Sequence, residues 1–221
     1  MKRIVLVLAL ILSMGTVASA QVWVHLNRYA ADNAALQAPC GVRVVLLGDS
    51  ITDAWPDNRP EFFSTTGFIG RGISGEESTQ MLIRFRQDVI DIQASHVVIL
   101  AGINDIAINQ GGPYQENLTF ANIVSMVDLA WQNGIRPLVC SVLPSYHFRW
   151  RPEVTDVYEK VCSLNARLKA YCERHGVTYV DYFSALAGPD GRIQDGLSRD
   201  TVHPNAEGYA IMEKVLLDAL N

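Results

Sequence analysis

Runs of Val, Ile and Leu at 42–47, 96–101, 136–142 and 177–180 are separated by stretches of helical length and mixed polarity at 76–92, 114–133 and 153–175. Runs so short and so rich in apolar residues suit strands covered on both faces, and strands that alternate with helices pair in parallel through right-handed crossovers. Gly134 and Gly176 stand where two of these helices should stop, and Pro204 introduces a last helix at 205–220. With a further strand ahead of the glycine-rich 70–75, the expected fold class is α/β, a three-layer α/β/α sandwich with a mainly parallel five-stranded sheet. The 221 residues, 49% of them apolar, favour one core over two. The stretch 42–221 therefore reads as one domain, and 21–41, with weak periodicity, as an N-terminal arm or helix.

Composition closes several functional classes. A formal charge of -5 and the absence of Lys-Arg runs argue against nucleic acid as a partner. Residues 1–20 read as a signal peptide: Lys2 and Arg3 give the positive start, 4–12 is an apolar run too short to span a bilayer, and Ala18-Ser19-Ala20 is a small-residue cleavage site. Cleavage after Ala20 implies a secreted or periplasmic protein with no stable membrane insertion, and the lack of a Cys behind the small residues disfavours lipid attachment. The cysteines do not suggest a disulfide framework. Cys140 lies in an apolar run, Cys162 and Cys172 are too far apart along one helical stretch, and Cys40 alone has a mobile setting, so mostly buried thiols are expected. No close Cys or His pair has ligand spacing, so no metal is expected.

Four short segments close or follow the apolar runs: Gly48-Asp49-Ser50, Ser74-Gly75, Gly102-Ile103-Asn104-Asp105 and Asp200-Thr201-Val202-His203. Taken singly, each is ordinary turn or helix-cap composition. Together they fill every role of an acyl-transfer site. Ser50 can serve as nucleophile, His203 as base and Asp200 as the group that orients the base, while Gly75 and Asn104 can supply oxyanion donors. Ser50 follows the first strand and Asn104 the third, which places both beyond the carboxyl ends of the sheet, where such folds bind ligands.

On these residues the chain resembles the SGNH hydrolases, also called GDSL esterases and lipases, from about Val42 to the C-terminus. The nucleophile block appears as Gly48-Asp49-Ser50-Ile51, with Ile for the commoner Leu, and the glycine block as Gly72-Ile73-Ser74-Gly75. The asparagine block is Gly102-Ile103-Asn104-Asp105 and the last block Asp200-Thr201-Val202-His203-Pro204, all in the family's order. The resemblance implies a flavodoxin-like SGNH hydrolase fold, and an oxyanion hole made by the Ser50 and Gly75 backbone N–H groups with the Asn104 amide. It implies no cofactor.

One motif competes. Gly70-Arg71-Gly72-Ile73-Ser74-Gly75 matches the dinucleotide fingerprint, but it follows the second strand instead of the first, and the segment about twenty residues on, 92–95, has no acidic residue for a ribose. Nucleotide binding is set aside on that missing context.

Substrate is less constrained. The loop after the fourth strand carries Tyr146, Phe148 and Trp150 interleaved with Arg149 and Arg151, on the same edge as Ser50. Trp55 and Tyr114 are expected to line the same mouth. Aromatic faces and Arg suit a sugar ring, and the same composition also serves a long loop packed on its domain. The reading is a serine esterase removing short acyl groups, acetate above all, from a small-molecule or oligosaccharide ester. Two alternatives stay open: a lysophospholipase or thioesterase with the same machinery, and a noncatalytic carbohydrate-binding protein.

Overall fold

The computed structural model describes residues 23–221, so the expected signal peptide at 1–20 lies outside the described residues. Strands β1 (Val44–Gly48), β2 (Ile69–Gly72), β3 (His96–Leu100), β4 (Arg136–Cys140) and β5 (Thr178–Val180) form one parallel sheet in the order β2-β1-β3-β4-β5. Helix α1 (Ala30–Ala35) lies in the N-terminal arm, and α2 (Ser50–Asp53), α3 (Trp55–Asn58) and α4 (Pro60–Thr66) fill the connection from β1 to β2. Helix α5 (Ser78–Phe85) runs into a π-helical turn, Arg86–Ile90, ahead of β3. Helices α6 (Ile103–Ile106) and α7 (Glu116–Gln132) precede β4, and α8 (Val157–His175) precedes β5. The chain ends with α9 (Tyr182–Leu186) and α10 (Ala206–Leu220). Every residue of β1 is buried, as the continuous apolar run requires of a central strand with helices on both faces.

Register brings three chain segments to one edge. Gly48 pairs with Gly72 on one side and Leu100 on the other, so the chain leaves β1, β2 and β3 at the same height. Ser50, Gly75 and Asn104 all follow within a few residues of that line. The close approach of α2 to β2 depends on glycine, because a Cβ on Gly72 would sit 2.0 Å from the backbone nitrogen of Asp53. The glycines that imitate a dinucleotide fingerprint are thus spent partly on strand–helix packing. Arg84, fully buried, ties α5 to the same edge: Nη2 donates to the Gly48 carbonyl at 2.9 Å, while Nε and Nη1 pair with Glu76 at 2.6 Å and Asp88 at 3.0 Å. A buried guanidinium needs such partners to offset its desolvation.

Trp55 departs from the expectation that it lines the substrate mouth. It is 2% exposed, with its ring stacked on Tyr209 at 5.2 Å and on Phe62 at 5.9 Å between centroids. Its indole N–H donates to Glu213 Oε1 at 3.3 Å, and Arg59 grips the same carboxylate at 3.0 and 2.9 Å. The residue stands close to Ser50 in sequence, but α3 turns it inward to meet the last helix. This cluster has a consequence for the site. Tyr209 in α10 donates to the Ile51 carbonyl in α2 at 2.7 Å, which clamps the helix behind His203 to the helix that begins with Ser50.

The arm at 23–41 packs on this domain. Tyr29 donates to the Gly72 carbonyl, Asn33 bridges Asp88 at 2.8 Å and Arg71 at 2.9 Å, and the Gln80 amide donates to the Trp23 carbonyl. All four cysteines are free; Cys140 and Cys172 are buried, Cys162 is half-buried and Cys40 exposed.

Candidate active site

The loop ahead of α10 is built around two short side chains. Ser198 Oγ donates to the His203 carbonyl at 2.9 Å and accepts from the Thr201 N–H at 2.9 Å. Asp200 Oδ1 accepts from the backbone N–H groups of Val202 at 3.1 Å and His203 at 2.8 Å, which folds the tetrapeptide into a single turn. Thr201 takes φ +78°, a left-handed conformation costly for a β-branched residue and held here by its neighbours. Asn205 then caps α10 by accepting from the Gly208 N–H at 3.0 Å.

That turn aligns three side chains. Ser50 Oγ lies 2.8 Å from His203 Nε2, and His203 Nδ1 lies 2.8 Å from Asp200 Oδ2. Burial pushes the Asp200 carboxyl up, but the backbone N–H and imidazole of His203 and the Val202 N–H outweigh it and leave the group below its ordinary value. An ionised Asp200 accepts the Nδ1 proton, so Nε2 presents its lone pair to the Ser50 hydroxyl. Geometry and protonation together give a line along which a proton can leave Ser50.

The residues expected to supply oxyanion donors follow β1, β2 and β3. Ser50 opens α2, so its N–H is one of the helix-start groups with no acceptor inside the helix. Gly75 takes φ +82°, and a Cβ there would meet nothing within 4 Å. Conformation, not crowding, is therefore what requires glycine at this turn. Asn104 is buried, its Nδ2 donating to the Glu76 carbonyl at 3.0 Å and its Oδ1 accepting from Asn109 Nδ2 at 2.7 Å. Its neighbour Asp105 accepts from the Ser78 N–H at 2.9 Å and the Thr119 hydroxyl at 3.0 Å, stapling the β3 loop to the start of α5.

Asp49 caps α2 through Oδ1, which accepts from the Ile51 N–H at 2.9 Å, while Oδ2 is buried with no hydrogen-bond partner among the described residues. Burial, with help from the nearby Asp105 carboxylate, pushes its carboxyl up from 3.8 to about 7. The folded chain keeps this proton at pH values where the unfolded chain has lost it. Stability from this group is therefore complete below about pH 4 and is lost as pH rises to about 7, by an amount on the order of 4 kcal/mol at 1.36 kcal/mol per pH unit. Asp49→Asn keeps the Oδ1 acceptor and cannot ionise. Urea unfolding should show the variant more stable than wild type at pH 8, with the difference shrinking toward pH 4; a constant difference across that range would contradict the buried proton.

The residues expected to read substrate divide. Tyr146 is 49% exposed, with the Arg192 guanidinium over its ring at 4.5 Å, and Arg149 is exposed. Trp150 is 42% exposed with its ring 6.2 Å from that of His203, while its N–H donates to Asn109 Oδ1 at 3.0 Å. Arg151 is half-buried and donates to the Asn109 carbonyl at 3.2 Å. Tyr114 borders a separate small cavity with Glu77 and Asp105. A larger cavity of about 790 Å³ lies between the β4 loop and the segment 188–195, lined by Tyr146, His147, Arg192, Gln194 and Asp195, and it reaches the Asp200–His203 turn through Thr201. Asn109 and Arg192 carry no motif that would single them out in the sequence, since each acts through contacts distant along the chain.

A five-stranded parallel sheet that gathers Ser50, His203 and Asp200 in hydrogen-bond line at its carboxyl edge is an arrangement suited to acyl transfer. Residues 46–211 match the family model described as GDSL-like Lipase/Acylhydrolase, and the chain belongs to that family. It is similar to a GDSL-like lipase from Bacteroides thetaiotaomicron VPI-5482, at 44% identity and a TM-score of 0.86, over 90% of this chain and 98% of that one. A Bacteroides fragilis NCTC 9343 protein named as an acylhydrolase gives 46% identity and a TM-score of 0.87, over 90% and 97% of the two chains. An uncharacterized lipoprotein, YqeF of Bacillus subtilis (strain 168), is 30% identical over 78 residues, which span 34% of this chain and 32% of that relative. The protein is thus an acylhydrolase enzyme.

Proposed function

We propose that the protein is an exported serine esterase that removes short acyl groups, acetate above all, from carbohydrate esters. In this reading 1–20 is its signal peptide, directing it to the periplasm or the exterior, and 21–41 is an arm on the hydrolase domain at 42–221. No helix among the described residues is long and apolar enough to cross a membrane.

The observation that carries the mechanism is the continuous Ser50–His203–Asp200 hydrogen-bond line, at 2.8 Å for each link. Ser50 Oγ attacks the ester carbonyl while its proton passes to His203 Nε2. The tetrahedral oxyanion is received by the N–H groups of Ser50 and Gly75 and by the Asn104 amide. Collapse expels the alkoxide, which takes the proton from His203 and leaves as the free hydroxyl. Water, deprotonated by the same imidazole, then attacks the acyl-enzyme, and its second intermediate releases the carboxylic acid and restores Ser50.

The carbohydrate leaving group is supported by the cavity beside Thr201, whose walls mix an aromatic face, Arg192, Gln194 and Asp195. Rings with many hydroxyls pair with such a surface. Arg192→Ala should raise KM for an acetylated oligosaccharide about tenfold and leave p-nitrophenyl acetate unaffected, because the small leaving group does not extend into the cavity. The wild-type enzyme should also prefer acetyl in a series running to dodecanoyl. A preference for long acyl chains would replace this reading with a lipase or thioesterase, and no turnover of any ester would leave a carbohydrate binder.

A further inference from the structure

The structure assigns Asn109 as a positioning residue that, with Trp150, fixes which end of the Asn104 amide faces the reacting ester; this rests on the proposed role of Asn104 as an oxyanion donor. A side-chain amide carries a donor and an acceptor of nearly the same shape, so an unrestrained Asn can present either one. Presenting Oδ1 to an oxyanion would repel it. The direction must therefore be set by neighbours that cannot reverse.

The hydrogen bonds run in one direction from end to end. The Trp150 indole N–H, a donor only, reaches Asn109 Oδ1 at 3.0 Å. Asn109 must then turn its NH₂ outward, and Nδ2 donates to Asn104 Oδ1 at 2.7 Å. That leaves the Asn104 NH₂ with one proton toward the Glu76 carbonyl, an acceptor only, at 3.0 Å, and a second proton free for the oxyanion. A donor-only group at one end and an acceptor-only group at the other leave a single arrangement in which every bond is satisfied.

The backbone holds Asn109 in place for this task. Its N–H donates to the Asn104 carbonyl at 3.1 Å, and its carbonyl accepts from Arg151 at 3.2 Å. The preceding Ile108 takes φ +48°, a conformation a β-branched residue adopts only under constraint. The β4 loop is thereby coupled to the oxyanion hole through Trp150 and Arg151, both of which reach Asn109.

The test is a double-mutant cycle read in kcat and KM on p-nitrophenyl acetate. Asn109→Ala should lower kcat about tenfold with KM nearly unchanged, since a misdirected Asn104 loses part of the contribution of one oxyanion donor. Trp150→Phe, which removes the indole N–H and keeps a smaller aromatic ring, should lower kcat in the same way, and the two changes together should cost little more than one; the Asn104→Ala background separates loss of the N–H from loss of ring packing. In an Asn104→Ala background neither should lower kcat further. Trp150→Phe with wild-type kcat, or a full loss from Asn109→Ala when Asn104 is already gone, would overturn the assignment. If Asn104→Ala alone leaves kcat intact, the fault lies in the oxyanion role of Asn104 itself, which separates the two failures.

Discussion

Ser50→Ala is expected to fold as the wild type does and to lose turnover on p-nitrophenyl acetate by about four to six orders of magnitude, the range seen when a triad nucleophile is deleted. The side chain is half-buried at the start of α2, and the cap on that helix belongs to Asp49. Removing Oγ deletes the 2.8 Å bond to His203 Nε2 without opening a cavity in the core. The imidazole keeps its bond to Asp200 and the turn at 200–203 keeps its backbone bonds, so the thermal midpoint should move by no more than a few degrees. Any residual rate would come from the oxyanion donors acting on water. Turnover near the wild-type rate in purified Ser50→Ala would remove Ser50 from the chemistry, and a large drop in the midpoint would mean that the hydroxyl serves the fold.

Why these parts could be read from the sequence, and others not, follows from which interactions are local. Strands β1, β3 and β4 are buried on both faces apart from the first residues of β3 and β4, His96 and Arg136, which writes a nearly continuous apolar run into the chain. Strand β2 reads Ile-Gly-Arg-Gly, because Gly72 must admit the backbone of Asp53 and Arg71 serves Asn33 in the arm; these demands erase the apolar signal. The short helices α2, α3 and α4 have too few turns to show a period. Asp200 and His203 were legible as a unit because one turn holds both, and Ser50 because it follows a strand directly. Trp55 misled for the complementary reason. Its position is decided by Glu213, 158 residues along the chain, and no reading of its neighbours contains that contact. The cavity beside Thr201 is of the same kind, since the segment 188–195 meets the β4 loop only in the folded chain. Local hydrogen bonding leaves motifs, whereas packing between distant elements leaves only composition.

Asn104→Ala is the second large effect, and it separates binding from catalysis. The carbonyl oxygen of a bound ester carries little charge, and full negative charge appears only as the tetrahedral intermediate forms. A donor placed for that charge therefore contributes to the transition state more than to the ground state. Loss of the amide should lower kcat by about 10²- to 10³-fold, on the order of 3 kcal/mol, while KM changes by less than about threefold. Asn104 is 3% exposed and bonded to Glu76 and Asn109, so part of the cost of truncation will appear as stability. Asn104→Asp controls for this. It keeps the shape and can still accept from Asn109, but it loses the donor to the Glu76 carbonyl. Once ionised it has no proton to give an oxyanion and adds charge of the wrong sign, so kcat is compared at a pH above the range to which burial raises a carboxylate such as Asp49. If the amide acts as proposed, Asp should therefore be at least as damaging to kcat as Ala, even though it preserves more of the local packing. A kcat retained by Asp and lost by Ala would mark Asn104 as a packing residue, and a change confined to KM in both variants would make it a contact to the ground-state substrate.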